Sequence, residues 1–155
     1  MSNLSQDIEN VLKECRSCWA ASDFAALERL WDPEEPEPTY LAEEILAPLF
    51  SYAEMRRYWE RTKAASRGVR VETWNLRVRA IAPDLATAVY DMRWIGEFAG
   101  YSGPIGGDTR VTAIFRHRPA GWRFIHYIEA PLAPIVYFKR SYQQFAASPP
   151  PHPES

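Results

Sequence analysis

The 155-residue sequence has few cysteines and histidines, no marked excess of charge and no long apolar run. Its two cysteines cannot form a disulfide framework, and its three histidines stand at no metal-binding spacing. Eighteen basic against twenty acidic residues give a net charge of −2, which argues against nucleic acid or a membrane surface as a partner. No run approaches the roughly 18 apolar residues of a membrane span, and the N-terminus lacks a signal peptide's pattern. We therefore expect a cytoplasmic protein without a metal or another cofactor.

Aromatic residues, by contrast, are abundant. Six Trp, eight Tyr and seven Phe are enough to line a cavity and still cover a surface that faces a partner. The length suits one domain, with a core large enough to hold an internal pocket. We place that domain at residues 1–147 and expect a disordered, proline-rich tail at residues 148–155.

The hydrophobic pattern changes from helical to strand-like near Gly68. A period of 3.6 predicts helices over residues 5–21, 24–31 and 52–65, and Ser51 with Glu54 forms a capping box before the third. A period of 2 then predicts four antiparallel strands, at residues 69–81, 86–98, 109–117 and 122–130. A short strand is expected at residues 39–44, and residues 135–145 are apolar but ambiguous. This element order predicts an α+β fold.

Two segments carry a resemblance to a known family. The early "DFAALERLWDP" and the late "FRHRPAGWRFIHYIEAP" together resemble the nuclear transport factor 2-like superfamily. That superfamily includes ketosteroid isomerase, SnoaL-like cyclases, scytalone dehydratase and the association domain of calcium/calmodulin-dependent protein kinase II. The resemblance implies a cone-shaped, curved mixed β-sheet wrapped around about three N-terminal helices, with an internal pocket. It also implies a homodimer that pairs through the convex face of the sheet.

The resemblance gives each strand position an expected direction. Alternation places Ile125, Tyr127 and Glu129 on one face of the last strand, and Trp122, Phe124, His126 and Ile128 on the other. The face with Tyr127 and Glu129 is expected to look into the pocket. The other residues expected to face inward are Tyr90, Met92, Trp94, Val111, Ala113 and Phe115.

Some catalytic groups of the superfamily are missing. A ketosteroid isomerase needs a carboxylate base and an oxyanion hole of a tyrosine and a protonated aspartic acid. By resemblance, the tyrosine of the oxyanion hole falls near Cys15 and its aspartic acid at Ala113. Neither Cys15 nor Ala113 can take that role. The base falls between Ala42 and Glu44. Glu43 and Glu44 would lie on opposite faces of a strand, so only one of them could enter the pocket.

Four residues remain as candidate catalytic groups: Glu129, Glu44, Tyr127 and Tyr40. A glutamate at the inner end of an aromatic-lined strand loses solvation, which raises its pKa toward a useful value. Tyrosine hydroxyls can orient or polarise a carbonyl. The candidate substrate-binding residues are Trp94, Met92, Tyr90, Trp59, Phe115 and Ala113.

Each candidate also has a structural explanation. Glu129 could be a rim residue or part of an ion pair, and the tyrosines could simply pack with satisfied hydroxyls. Trp19, Trp59, Trp74 and Trp94 fit cavity lining or plain core. His126 is expected to be structural, at the dimer interface. The Cys15-Arg-Ser-Cys18 motif is expected to hold two reduced core thiols in the middle of a helix.

Two functions follow from these patterns. The first is a cofactor-independent isomerase, cyclase or dehydratase that works by proton transfer on a small apolar or aromatic molecule. The alternative is a non-catalytic ligand-binding or oligomerisation domain, because this fold hosts enzymes, binders and scaffolds alike.

Overall fold

Among the residues that the structure describes, three helices precede most of the sheet and a fourth follows it. The computed structural model describes residues 3–147, and its helices are α1 Leu4–Ala21, α2 Phe24–Arg29, α3 Tyr52–Ala65 and α4 Pro134–Ala147. Side chains of Asn3, Asp23 and Ser51 cap the first three helices by accepting backbone N–H groups. The predicted tail at residues 148–155 lies outside the described residues. Within residues 3–147, no helix has both the length and the apolar character that a bilayer crossing requires.

Within the part of the chain that the structure describes, five strands form one curved, open sheet in the order β1-β5-β4-β3-β2. The strands are β1 Thr39–Leu41, β2 Ser66–Ala82, β3 Leu85–Phe98, β4 Ile105–Arg118 and β5 Gly121–Pro131. β1 lies parallel to β5, and all other neighbours are antiparallel. The predicted α+β fold with a curved mixed sheet around N-terminal helices is therefore confirmed.

The core fills the inner face of this sheet. Alternate residues of β3 and β4 are buried there, as a period of 2 requires: Ala86, Ala88, Tyr90, Met92, Val111, Ala113 and Phe115. The helices bury their apolar faces against the same side, through residues such as Ile8, Met55 and Trp59. One continuous apolar cluster results, and its far end borders the candidate site.

A β-bulge in β5 overturns one sequence prediction. Ile114 pairs with His126 but Phe115 pairs with Phe124, so Ile125 is an extra residue on its strand. The alternation reverses at this point. Phe124 consequently turns into the core beside Phe115, and the prediction that it shares the outer face with His126 was wrong.

An irregularity in β2 overturns a second prediction. Trp74 was expected to line the cavity or lie in the core, but its exposed fraction is 40%. It stands where the β2–β3 register shifts, next to Asn75, which adopts a positive φ of 54°. The break in the ladder turns the indole toward solvent.

The short strand and the ambiguous segment also differ from expectation. β1 ends at Leu41, so Glu43 and Glu44 lie in the turn that follows rather than on opposite faces of a strand. Residues 134–147 form helix α4, which presents Ile135, Phe138 and Tyr142 to solvent.

Candidate functional site

A cavity of about 520 Å³ lies between α3, β1 and the inner face of the sheet. Its volume is within the range of small-molecule sites. Most of its lining is apolar or aromatic, including Trp19, Ile45, Val69, Val71, Met92, Trp94, Phe98 and Ile105. Three charged residues also line it: Glu44, Glu129 and Arg61.

Glu129 is the most deeply placed carboxyl group of the cavity, with an exposed fraction of 9%. Its Oε1 accepts a hydrogen bond of 2.7 Å from the Tyr127 hydroxyl, and its Oε2 accepts one of 2.9 Å from the backbone N–H of Glu43. Burial raises the pKa of Glu129 to about 7, and the charges of Glu44 and Glu43 add to this, although both hydrogen bonds oppose it. The group therefore exchanges a proton near neutral pH.

The turn after β1 delivers the backbone donor to Glu129. Glu43 holds the turn against β3, because its Oε1 accepts a 2.5 Å hydrogen bond from the indole Nε1 of Trp94. Gly107 leaves room for this contact, since a Cβ there would lie 2.7 Å from the same carboxylate oxygen. Burial raises the pKa of Glu43, while the Trp94 hydrogen bond lowers it. The turn is thus fixed on both sides.

A second carboxyl–phenol pair faces the same cavity. The Tyr58 hydroxyl of α3 donates to Glu44 Oε1, and the Tyr58 and Tyr40 ring centroids lie 5.4 Å apart. Tyr40 also stacks on Tyr127, the residue that donates to Glu129, and their ring centroids lie 5.2 Å apart. Burial raises the pKa of both Tyr40 and Tyr58 above the ordinary value. These phenols stay protonated at neutral pH and can act as hydrogen-bond donors.

The structure brings the four candidate catalytic residues together and divides the candidate substrate-binding residues. Glu129, Glu44, Tyr127 and Tyr40 all line the cavity, as do Trp94 and Met92. The lining does not include Tyr90, Trp59, Phe115 or Ala113, which are buried in the core behind it. The inward direction of Tyr90, Phe115 and Ala113 was predicted correctly, and Trp59 lies in the core. Direction alone does not place a residue at a cavity, since the layer of side chains between helix and sheet fills most of the inner face.

Sequence reasoning missed the contribution of α3. Tyr58, Arg61, Thr62 and Ala65 line the cavity, and their spacing of three and four residues places them on one face of the helix. The helical period, applied from Tyr58 at steps of three, four and seven residues, gives Arg61, Thr62 and Ala65. Tyr101, at the mouth, gave no signal because it lies in the loop between β3 and β4.

Two other reactive residue types do not contribute to the site. Cys15 and Cys18 are free thiols on α1, and burial raises the pKa of Cys15 to about 12. Such a thiol stays protonated and is a poor nucleophile. His126 lies on the face of β5 opposite to that of Tyr127 and Glu129, and it does not line the cavity. Among residues 3–147, no group of three or more His, Cys, Asp or Glu side chains could hold a metal ion.

Comparison with known protein families assigns the chain to one of them. The family model of the SnoaL-like domain matches residues 8–134, which is most of the chain. The chain belongs to the SnoaL-like family. No curated protein matches this SnoaL-like chain in sequence.

Solved structures share the SnoaL-like fold at low sequence identity. A candidate dehydratase of the NTF2-like family from Streptomyces avermitilis is 16% identical with a TM-score of 0.73, over 83% of this chain and 96% of that one. A hexachlorocyclohexane dehydrochlorinase, LinA type 2, is 14% identical with a TM-score of 0.69, over 86% and 95%. The association domain of CaMKII from C. elegans is 18% identical with a TM-score of 0.63, over 82% and 95%. At these identities the likeness supports the fold and leaves the reaction open.

Proposed function

We propose that the cavity binds a small apolar or aromatic molecule and that Glu129 transfers a proton to or from it. The observation that carries this proposal is the position of Glu129, a carboxyl group with a pKa of about 7 in an apolar cavity. A general base works best when its pKa lies near the operating pH. The folds of the candidate dehydratase and of the dehydrochlorinase agree with this chemistry.

The proposed reaction begins at a C–H bond next to a substrate carbonyl. The Glu129 carboxylate takes the proton, and the electron pair of that bond moves onto the carbonyl oxygen as an enolate. Return of the proton to another carbon completes an isomerisation. In a dehydration, a hydroxyl group on the next carbon leaves with its C–O electron pair and takes the proton back from Glu129 to become water. In a cyclisation, the enolate carbon attacks a second carbonyl, and the oxygen of that carbonyl takes the proton from Glu129. No cofactor takes part in these steps.

The neighbouring groups have separate roles in this proposal. Tyr127 and the backbone N–H of Glu43 hold the Glu129 carboxylate in place through both oxygens. Each oxygen keeps a further lone pair for the substrate proton. Tyr40 and the Glu44–Tyr58 pair line the same end of the cavity and orient the carbonyl, while Trp94 and Met92 enclose the apolar body.

Proton abstraction can be tested before the natural substrate is known. We expect the protein to speed deuterium incorporation into 2-tetralone in D2O, followed by mass spectrometry. Glu129→Gln should lower that rate at least about a hundredfold, in line with the usual effect of a general base. Glu60→Gln, on the exposed side of α3, is the matched control and should keep the wild-type rate.

The same experiment decides between the two functions. A wild-type rate no faster than that in buffer, or a Glu129→Gln variant with the full rate, would contradict the catalytic proposal. The non-catalytic alternative would then explain the cavity as a ligand-binding site. Its ligand would be sought by native mass spectrometry of the protein as purified.

We also propose that two copies pair through the outer face of the sheet. Apolar residues are exposed on the strands there, including Val89 of β3 and Ile81 of β2. The fold shared with an association domain supports assembly of this kind. Native mass spectrometry should find a dimer, and Val89→Glu should convert it to a monomer. A monomeric wild type would contradict this pairing.

A further inference from the structure

Arg61 is a positively charged residue in a cavity whose other charged groups are carboxylates. It lies on α3 three residues after Tyr58, which is about 4.5 Å along the helix axis. Tyr58, Arg61, Thr62 and Ala65 share the face of α3 that lines the cavity. The position of Arg61 on this face is thus set by the helical period.

The cavity has an inner end and a mouth, and strand β3 runs from one to the other. Met92 marks the inner end, because its Sδ lies 3.5 Å from the Tyr127 hydroxyl. Phe98 marks the mouth, six residues and about 20 Å further along the strand. The end of α3 meets the mouth as well, since the backbone N–H of Ala99 donates to the Ala65 carbonyl at 2.8 Å. Arg61 therefore lies between Tyr58 at the inner end and the mouth.

Charge is distributed unequally along this axis. Glu129 places a buried carboxyl group at the inner end, where an anionic ligand group would be repelled. Arg61 carries the opposite charge nearer to solvent. Arg67 and Glu97 line an adjoining depression and are opposite in sign, so they add no net charge there.

Arg61 also has its hydrogen-bonding capacity free. Across residues 3–147 it makes no ion pair and no hydrogen bond, whereas Arg56 of the same helix is paired with Glu28 at 2.5 Å. A guanidinium group binds a carboxylate through two parallel hydrogen bonds. The arginine of the cavity wall is thus available to a ligand.

We infer that the ligand is an acid, with an apolar or aromatic body inside the cavity and a carboxylate bound by Arg61 toward the mouth. This inference rests on the proposed function, because it describes the substrate class of the same cavity. The apolar lining fits the body, and the carboxyl group of Glu129 at the inner end requires that the anion face outward. Arg61 is accordingly a specificity-determining residue.

A matched pair of ligands tests this inference. The binding of 2-naphthoate and of its neutral methyl ester is measured by quenching of tryptophan fluorescence at low ionic strength, with isothermal titration calorimetry as a second readout. We expect the wild type to bind the acid about fivefold more tightly than the ester, the scale of an exposed ion pair. Raising the salt to 0.5 M should reduce the preference, because salt screens such a pair.

Two variants connect the preference to one residue. Arg61→Gln should bind acid and ester about equally, while Arg57→Gln, an exposed arginine of α3 outside the cavity lining, should keep the wild-type preference. Equal binding by the wild type, tighter binding of the ester, an unchanged preference in Arg61→Gln, or no binding of either compound would each overturn the inference.

The outcome is separable from that of the proton-transfer proposal. Glu129→Gln should keep the preference for the acid, since Arg61 is unchanged in it. An Arg61-dependent preference without any deuterium exchange would support the ligand class and contradict the catalysis. Deuterium exchange without an Arg61-dependent preference would do the reverse.

Discussion

Asp32 and Glu129 are two buried carboxyl groups of one molecule with opposite protonation behaviour. Asp32 has an exposed fraction of 0% and Glu129 one of 9%. Burial raises the pKa of both. For Asp32, hydrogen bonds from Arg118 and from the backbone of Glu34 outweigh burial and lower the pKa below its usual range. For Glu129, burial prevails and the pKa rises to about 7.

The charge of the donors explains the difference. Arg118 donates to Asp32 Oδ2 at 3.0 and 2.9 Å, so a full positive charge faces the carboxylate. Glu129 has donors at similar distances, but they are a phenol and a peptide N–H, and its charged neighbours are carboxylates. Asp32 is therefore ionised at neutral pH and structural, while Glu129 remains able to exchange its proton.

Removing the charge of Asp32 should have the largest effect on stability. Asp32→Asn removes the buried partner of Arg118 and the 3.5 Å contact of Arg116, which keeps Glu35 at 2.6 Å, and breaking such a pair costs about 3 kcal/mol. Urea unfolding at pH 7 measures the loss. Glu34→Gln is the control, because Glu34 pairs with the same Arg118 at 3.0 Å from an exposed position and should cost less than about 1 kcal/mol.

The sign of the pH dependence sharpens this test. The pKa of Asp32 is lowered on folding, so its stabilisation is present above the unfolded-state pKa and is lost as the pH falls through the folded-state pKa. The difference between wild type and Asp32→Asn should therefore shrink in acid. A difference below about 1 kcal/mol at pH 7 would show that Asp32 does not anchor this cluster.

Glu129 should show the opposite pH dependence. Its pKa is raised from 4.5 to about 7, so the folded state keeps a proton that the unfolded state releases. Stability that depends on this proton is present below pH 4.5 and is lost as the pH rises through about 7, by about 3 kcal/mol in total. The free energy of unfolding of Glu129→Gln, minus that of the wild type, should rise across this window. A constant difference from pH 4 to pH 8 would contradict the raised pKa.

The fold could be predicted from the sequence because its periodicities are long and regular. The three N-terminal helices and four long strands follow from the change of period near Gly68. The bulge at Ile125 could not be predicted, because a single extra residue leaves local hydrophobicity unchanged while it reverses the direction of Phe124. The exposure of Trp74 has the same kind of cause in β2.

The candidate site could be predicted only in part. Tyr127 and Glu129 lie on the regular part of β5 after the bulge, where alternation defines their directions. The turn at Glu43 has no such alternation. Neither its backbone hydrogen bond to Glu129 nor its contact with Trp94 could therefore be predicted from a sequence pattern. These contacts join residues 86 and 51 positions apart in the chain. The tertiary fold alone brings them together.

The phenol donor to Glu129 should have a smaller, measurable effect. Tyr127→Phe removes the 2.7 Å hydrogen bond to Oε1, so the carboxylate loses stabilisation and its pKa should rise by about one unit. A 13C NMR titration of the Glu129 side chain measures this pKa, and Glu129→Gln is used to assign the signal. Tyr90→Phe, at a buried tyrosine that makes no hydrogen bond to Glu129, should leave the titration in place. Equal shifts in both variants would mean that packing, not the hydrogen bond, sets the pKa.

The smallest predicted effect concerns the turn after β1, which gives Glu129 an uncharged backbone donor where Asp32 has an arginine. Trp94→Phe keeps an aromatic ring in the cavity wall but removes the indole N–H that holds Glu43 at 2.5 Å. A looser turn presents its backbone N–H to Glu129 Oε2 less well, so the pKa of Glu129 should rise by about half a unit. Gly107→Ala should act in the same direction, because its Cβ would lie 2.7 Å from Glu43 Oε1.

The control for this prediction is Trp122→Phe, at the opposite end of the sheet beside His117, which should leave the pKa of Glu129 unchanged. If Trp94→Phe and Trp122→Phe titrate alike, the hydrogen bond to Glu129 itself is enough to hold the turn.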